Sequence, residues 1–381
     1  MELNEIVNIV SGYAFPSSDM QAEGVPILKI TNILENGELD LENTIKYSKP
    51  IPEKLRKFLL RDKDVLVCMT GATIGKVARK QKVKQDFLIN QRVAIIRAKE
   101  KLLEDFVYYL LSLPAFRKYV EIVGYGAAQP NISAKSIGKF RFLSVGNFYK
   151  CQSIGTILSA YDSLIENNTK RIRLLEKMAE NLYKEWFVRF RFPEYEKAEM
   201  ENGLPKGWKH GSLSDICEFK RGKNITASEM IAGNVPVISA GIEPSGFHNK
   251  ANVKGVSITM SSSGANAGYI AIHYSDIWAA DCSFINETMT SYLCYVYELL
   301  NNIRGVITNF QRGAAQPHVY PKDINRIKLI IPSERLRALA DERLSVIHKQ
   351  IDNLAKQNTL LARRRDLLLP RLMSGKLEVK P

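Results

Sequence analysis

The residues of this 381-residue chain that could do chemistry do not assemble into a catalytic set. Gly71-Ala72-Thr73-Ile74-Gly75-Lys76-Val77 resembles a phosphate-binding loop. It has one residue too few between the glycines, and Val77 stands where the metal-binding Ser or Thr belongs. A second occurrence, SGANAGYIA from Ser263, puts Tyr269 in place of Lys76. A tight turn that packs closely is therefore the better reading. PEYEK from Pro193 echoes a nuclease carboxylate–lysine cluster, but its acids stand too close together and the segment is turn-rich. His210, His248, His273, His318 and His348 show no HxxxH spacing and no neighbouring cysteine pair that would ligate a metal. Cys68, Cys151, Cys217, Cys282 and Cys294 are odd in number and lack CxxC spacing, so neither a disulfide framework nor a zinc site is expected. There is no GxSxG elbow and no Asn/Asp-Pro-Pro-aromatic tetrapeptide of an adenine methyltransferase.

What remains is the chemistry of contact. Small, amide and basic side chains gather where β-like runs end. The first half of the chain offers Lys29, Thr31, Asn32, Thr70, Thr73, Lys76, Asn90, Gln91 and Arg92. The second half offers Ser239, Ser261, Ser262, Ser263, Asn266, Tyr269 and Arg312. These types bond phosphates and base edges: Asn and Gln suit adenine, Arg and Lys guanine. Lys and Arg total 54 against 40 Asp and Glu, a net charge of +14. That excess makes a polyanion the first partner to consider, and nucleic acid the commonest of them. No apolar stretch reaches the roughly 20 residues that span a bilayer. The N-terminus, acidic at its start, lacks signal-peptide order. Without a disulfide pattern, a reducing cytoplasm is the expected compartment.

The elements that must position these residues come as a repeat. GAAQP occurs at Gly126–Pro130 and at Gly313–Pro317, a shift of 187 residues. A β-like run follows each copy, IGKFRFLSV and then INRIKLIIP, and after it a long helical pattern. Upstream, LNEIVNIVSG from Leu3 lies over LSDICEFKRG from Leu213, and Val25-Pro26-Ile27 over Val235-Pro236-Val237. TGATIGKVA from Thr70 lies over SGANAGYIA, and FVYYLL from Phe106 over YLCYVY from Tyr292. Order is kept while the shift shrinks from 210 to 187, so the first copy carries the longer loops. Short runs (VPILKITNI, DVLVCMTG, QRVAIIRA; VPVISAGI, VSITMSSSG, YIAIHY) predict β-rich heads. The GAAQP turns, with Gln129 and Gln316, either touch DNA or close each head onto its helix.

In the helical patterns, apolar residues fall at Leu158, Tyr161, Ile165, Ile172, Leu175, Ala179, Leu182 and Trp186. In the second pattern they fall at Leu344, Ile347, Ile351, Leu354, Leu361, Leu368 and Leu372. Intervals of three and four are the heptad spacing of a coiled coil, with Asn168, Asn358 and Arg365 interrupting the seams. The two helices are expected to pair with each other. An uninterrupted helix of about 37 residues runs roughly 55 Å. An antiparallel pair would hold two like heads apart as a caliper suited to a two-part DNA site. The expected class is α+β: two mixed α/β, β-rich heads, two long antiparallel coiled-coil helices and a pseudo-twofold repeat. The expected divisions are a first head over 1–146, a long helix over 147–192, a linker over 193–212, a second head over 213–332 and a long helix over 333–381.

Two heads with LSDI-like openings, a GAAQP turn closing each, a long helix after each, and LPKGW at Leu204–Trp208 resemble the specificity subunit of type I restriction–modification systems. The resemblance covers essentially the whole chain. It implies two target-recognition domains, each reading one half of an asymmetric bipartite sequence in double-stranded DNA. It implies helices that dock two methyltransferase (modification) subunits and, where present, two restriction/translocase subunits. S-adenosylmethionine and ATP with magnesium would then sit on those partners, with no cofactor, no metal and no catalysis in this chain. One departure is that Met1 opens almost directly at LNEI, without a first LPKGW-like segment, so the first head is expected to be slightly trimmed. The alternatives are a specificity subunit of a type IIB-like system, or a DNA methyltransferase or nuclease with unrecognised catalytic residues.

Overall fold

The computed structural model describes residues 1–34, 37–48, 50–80, 84–125, 130–143, 147–313 and 317–379. The chain divides into two compact units, Met1–Glu166 with Asn358–Pro381, and Asn167–Gln357, so that the division falls within both long helices.

In the first unit the runs expected to be strands are strands. An antiparallel four-stranded sheet has the order Val7–Ser11, Val93–Ala98, Val65–Cys68, Val77–Arg79. Side chains alternate across a pleat, and here both faces are covered. Val65, Val67, Ala94 and Ile96 join Phe106, Leu110 and Phe116 in one core. Leu66, Cys68, Val93 and Ile95 join Leu28 and Ile33 in another. That is why these strands read as continuous apolar runs rather than alternating ones. A second sheet has the order Met20–Gln21, Ile45–Tyr47, Val25–Leu28, Leu88–Ile89, its last pair parallel.

The second unit repeats this plan. Its four-stranded sheet runs Lys220–Arg221, Cys282–Asn286, Ser257–Ser261, Ile270–His273. Its smaller sheet runs Gly246–His248, Val235–Ile238, Trp278–Ala279, again with a parallel last pair. Pairing register fixes the correspondence residue by residue. Ser11 faces Ala94 as Arg221 faces Ser283, and Cys68 faces Val93 as Ser261 faces Cys282. Arg92 therefore corresponds to Asp281, Thr70 to Ser263 and Asp64 to Ser257.

The β-like runs after GAAQP differ between copies. INRIKLIIP contains a strand, Lys328–Ile331, paired with Lys209–Ser212. Among the described residues of IGKFRFLSV, the β pairing is a bridge from Arg141 to Glu2.

The long helices are Phe148–Tyr183, continued by a π-helical turn Lys184–Val188, and Glu334–Met373. The heptad pattern lands on the buried side. Leu158, Leu344, Ile347, Ile351 and Leu354 are buried; Tyr161, Ile165, Ile172, Leu175, Leu182, Leu361 and Leu368 are half-buried. Off-seam apolar residues such as Leu174 and Leu360 stay exposed. Within the second unit the pairing is antiparallel. Asn168 Nδ2 donates to Gln357 Oε1 at 3.4 Å, while Trp186, further along, carries Arg343 on its ring at 5.0 Å. Within the first unit Arg365 ion-pairs with Asp162, which also accepts a hydrogen bond from Tyr109 Oη. Two of the seam's three polar interruptions thus meet polar partners, Gln357 for Asn168 and Asp162 for Arg365, so neither of these two is left buried and unsatisfied. The π turn buries Trp186 and Phe187, with Phe187 against Tyr183 and Tyr295, and the helical stretch ends at Val188, inside the expected 147–192.

Candidate nucleic-acid interface

Each head brings a loop, a strand end and the segment after GAAQP to one corner. In the first head the loop Thr70–Lys76 bends at Gly71 and Gly75, at φ of 75° and 79°. Gly71 N donates to Pro130 O at 3.0 Å and Gly75 N to Cys68 O at 2.9 Å. In the second head Gly264 and Gly268 stand at 75° and 84°. Gly264 N donates to Pro317 O at 3.0 Å and Gly268 N to Ser261 O at 2.9 Å. Bridges Thr70–Asn131 and Ser263–His318 complete each corner. The phosphate-loop lookalike is thus a close-packed turn, and its left-handed backbone explains the glycines.

The strand ends lie beside these loops. Asn90 N donates to Leu28 O, Met69 N to Arg92 O, and Ile132 N to Met69 O, each at 2.9 Å. One row therefore holds Lys29, Asn90, Arg92, Thr70 and Asn131. In this row Gln91 and Arg92 are exposed, and Lys29, Asn90, Thr70, Thr73 and Lys76 are half-buried. Thr31 is exposed on the turn after Leu28. Asn32 is 2% exposed and spends its amide on the turn, donating to Asp40 O and Asn43 O and accepting from Lys29 N.

The second head arranges its candidates alike. Ala280 N donates to Ile238 O at 2.8 Å, next to Ser239. Ser263 Oγ donates to Asp281 Oδ2 at 2.5 Å, and His318 pairs with both Ser263 and Arg312. Asn266 and Tyr269 are half-buried, and Arg312 is exposed with an ion pair to Asp323 at 2.9 Å. Arg304 lies over the Tyr269 ring at 5.0 Å. Ser261 and Ser262 point inward: Ser261 Oγ donates to Ala240 O, and Ser262 is 1% exposed with no side-chain partner among the described residues. Gln129 and Gln316, the glutamines of the GAAQP turns, lie outside the described residues.

Three features of this corner escape sequence reasoning. Arg221, on an edge strand, ion-pairs with Asp281, and Gly222 behind it fits only because a Cβ there would stand 2.5 Å from Ala279 O. Gly12 holds the same place in the first head, a Cβ there meeting Asn90 O at 2.1 Å. Asn131 and His318 occupy matching positions one residue after each GAAQP. The repeat alignment LNEIVNIVSG over LSDICEFKRG already carried the signal for the glycines.

Burial pushes the Cys282 thiol up to about 12, and Cys217 and Cys294 likewise to about 12. Among the described residues no cluster of His, Cys, Asp and Glu could hold a metal ion, and no helix is long and apolar enough to cross a membrane.

A duplicated β-rich head with a rim of amide, hydroxyl and guanidinium groups, each copy followed by one of a pair of long helices, defines a two-headed recognition protein. The family model described as type I restriction modification DNA specificity domain matches residues 1–177 and again 205–363. The chain belongs to that family and is a DNA sequence-specificity subunit. It is 26% identical over 347 residues to the type I restriction enzyme MjaIX specificity subunit of Methanocaldococcus jannaschii, covering 84% of this chain and 78% of that one. It is 21% identical to the type I restriction enzyme HindI specificity subunit of Haemophilus influenzae, over 93% of this chain and 94% of that one. In fold it is similar to the type I restriction–modification S subunit from M. genitalium, with a TM-score of 0.63 at 19% identity over 100% of this chain and 96% of that one.

Proposed function

We propose that each head reads one half of an asymmetric, bipartite DNA sequence and that the paired helices set the spacer between the halves and dock two modification subunits. One observation carries the reading: the two heads keep strand order, register and turn glycines while their rim residues differ. A duplicated scaffold with divergent rims is what one chain needs to recognise two different half-sites, since backbone contacts position a protein on DNA and side chains at base edges specify the sequence. The net charge of +14 supplies counterion release, so binding is expected to weaken steeply with salt. S-adenosylmethionine belongs on the modification subunits, and ATP with magnesium on restriction subunits where these join. The complex works in the cytoplasm.

The test is an exchange. The complex of this chain with its modification subunits is offered a pool of randomised duplex DNA, and the bound sequences are read. Replacing residues 213–332 by the head of another family member is expected to change one half-site only. Inserting residues into the helix around Lys170–Leu174 is expected to change the tolerated spacer and leave both half-sites. An exchange that altered both half-sites, or neither, would refute the reading.

A further inference from the structure

The geometry points to Arg221 as the guanine-reading side chain of the second head, held for that task by Asp281 and Ser263; this rests on the reading that the head contacts base edges. The Arg221 side chain is 45% exposed, that of Asp281 29%. Both are fixed from below. Arg221 pairs with Ser283 across the sheet, and Gly222 N donates to Cys282 O at 2.9 Å. The carboxylate is divided: Oδ1 takes the Arg221 guanidinium and Oδ2 takes the Ser263 hydroxyl at 2.5 Å. Ser263 opens the glycine loop and is itself 6% exposed. The guanidinium is thereby anchored through Asp281, which also holds Ser263 of the glycine loop, and the side chain remains 45% exposed.

Two physical consequences follow. A guanidinium fixed before binding loses little side-chain entropy when it bonds O6 and N7 of guanine in the planar, bidentate manner that Arg favours. The carboxylate beside it repels phosphate, which disfavours the non-specific use of the same guanidinium. The pair therefore trades general affinity for discrimination. The first head has the reverse arrangement: Arg92 stands at the position of Asp281 and Ser11 at that of Arg221, and Arg92 has no ion pair among the described residues.

The experiment uses the same complex and randomised duplex pool. Arg221→Ala is expected to make one guanine position of one half-site degenerate, with about a 10- to 100-fold loss of discrimination there, and to leave the other half-site intact. Arg221→Lys keeps the charge but not the fork, and is expected to lose the same discrimination. Asp281→Asn is expected to raise binding to duplexes lacking the site and to blunt preference at that guanine; a melting curve of each variant confirms folding. Unchanged selected sequences in Arg221→Ala, or an equal loss of binding to every sequence, overturn the inference. If the head exchange still moves one half-site in that case, the proposed function stands and only the assignment to Arg221 falls. If the unsubstituted complex enriches no sequence, both fall together.

Discussion

The same two strands carry opposite chemistries in the two heads, on the sheet face turned away from the long helices. In the first head Leu66 and Cys68 bury into an apolar core with Leu28, Ile33 and Phe87. In the second the corresponding residues are Thr259 and Ser261, which bond His273 Nε2 and Ala240 O, each at 2.8 Å. At the strand start, Asp64 in the first head is 3% exposed and takes the Arg97 guanidinium on both carboxylate oxygens. Its counterpart Ser257 is fully buried with no side-chain partner among the described residues. Lys80, paired with Asp62 at 3.3 Å, corresponds to His273. One skeleton thus tolerates an apolar core closed by ion pairs or a hydroxyl-lined core closed by neutral groups. Register is set by main-chain pairing and by the helix-facing residues, which stay apolar in both heads: Val65, Val67 and Ile96 in one, Ile258, Met260 and Ile285 in the other.

The largest expected effect that would break this comparison is at Asp64. Asp64→Ala leaves Arg97, whose side chain is 19% exposed, without its counter-charge. Loss of one partner of a buried pair costs about 3–5 kcal/mol. A value near the lower end is expected, because Arg97 also donates to Leu59 O. Hydrogen exchange on the strands Val65–Cys68 and Val93–Ala98 would show it; unchanged protection would mean that the ion pair does not hold the head.

Next in size is a pH effect confined to the second head. Burial holds the His273 imidazole down at about 4, against an ordinary 6.5. The unfolded chain therefore binds more protons than the folded head between those values, and stability rises with pH across that window. The contribution is complete above pH 6.5 and is lost as pH falls towards 4, up to about 3 kcal/mol at 1.36 kcal/mol per unit. His273→Gln should flatten the acid limb of the second head's melting curve while leaving the first head's unchanged; an unaltered limb would remove His273 from the account.

The smallest effect is the most discriminating. Ser257→Ala, at the position matching Asp64, removes a hydroxyl that is buried without a partner. Its stability is expected to be unchanged or higher by about 0.5–1 kcal/mol, because deleting an unsatisfied polar group recovers its desolvation cost. A loss like that of Asp64→Ala would show that the two positions do the same job after all.

How much of this was legible follows from the range of the causes. Heptads along Leu344, Ile347, Ile351 and Leu354, apolar runs such as Val93–Ile96, and the ordered repeats are local patterns, and the chain folds as they read. The π turn at Lys184–Val188 was not legible, since it answers to Tyr295 across the core rather than to its own periodicity. Asn32 reads as a contact residue by type, yet its amide closes its own turn, which composition alone does not reveal. Arg221 and Asp281 are 60 residues apart, and no spacing rule joins them.

By itself, then, the sequence determined the duplication, the β-rich heads, the helix seams and the glycine turns, because periodicity and backbone sterics act over a few residues. The tertiary structure alone decided which polar side chains spend their hydrogen bonds inward, as Asn32 and Ser261 do, and which are braced outward, as Arg221 is. That choice depends on desolvation and on partners brought together only when the strands pair.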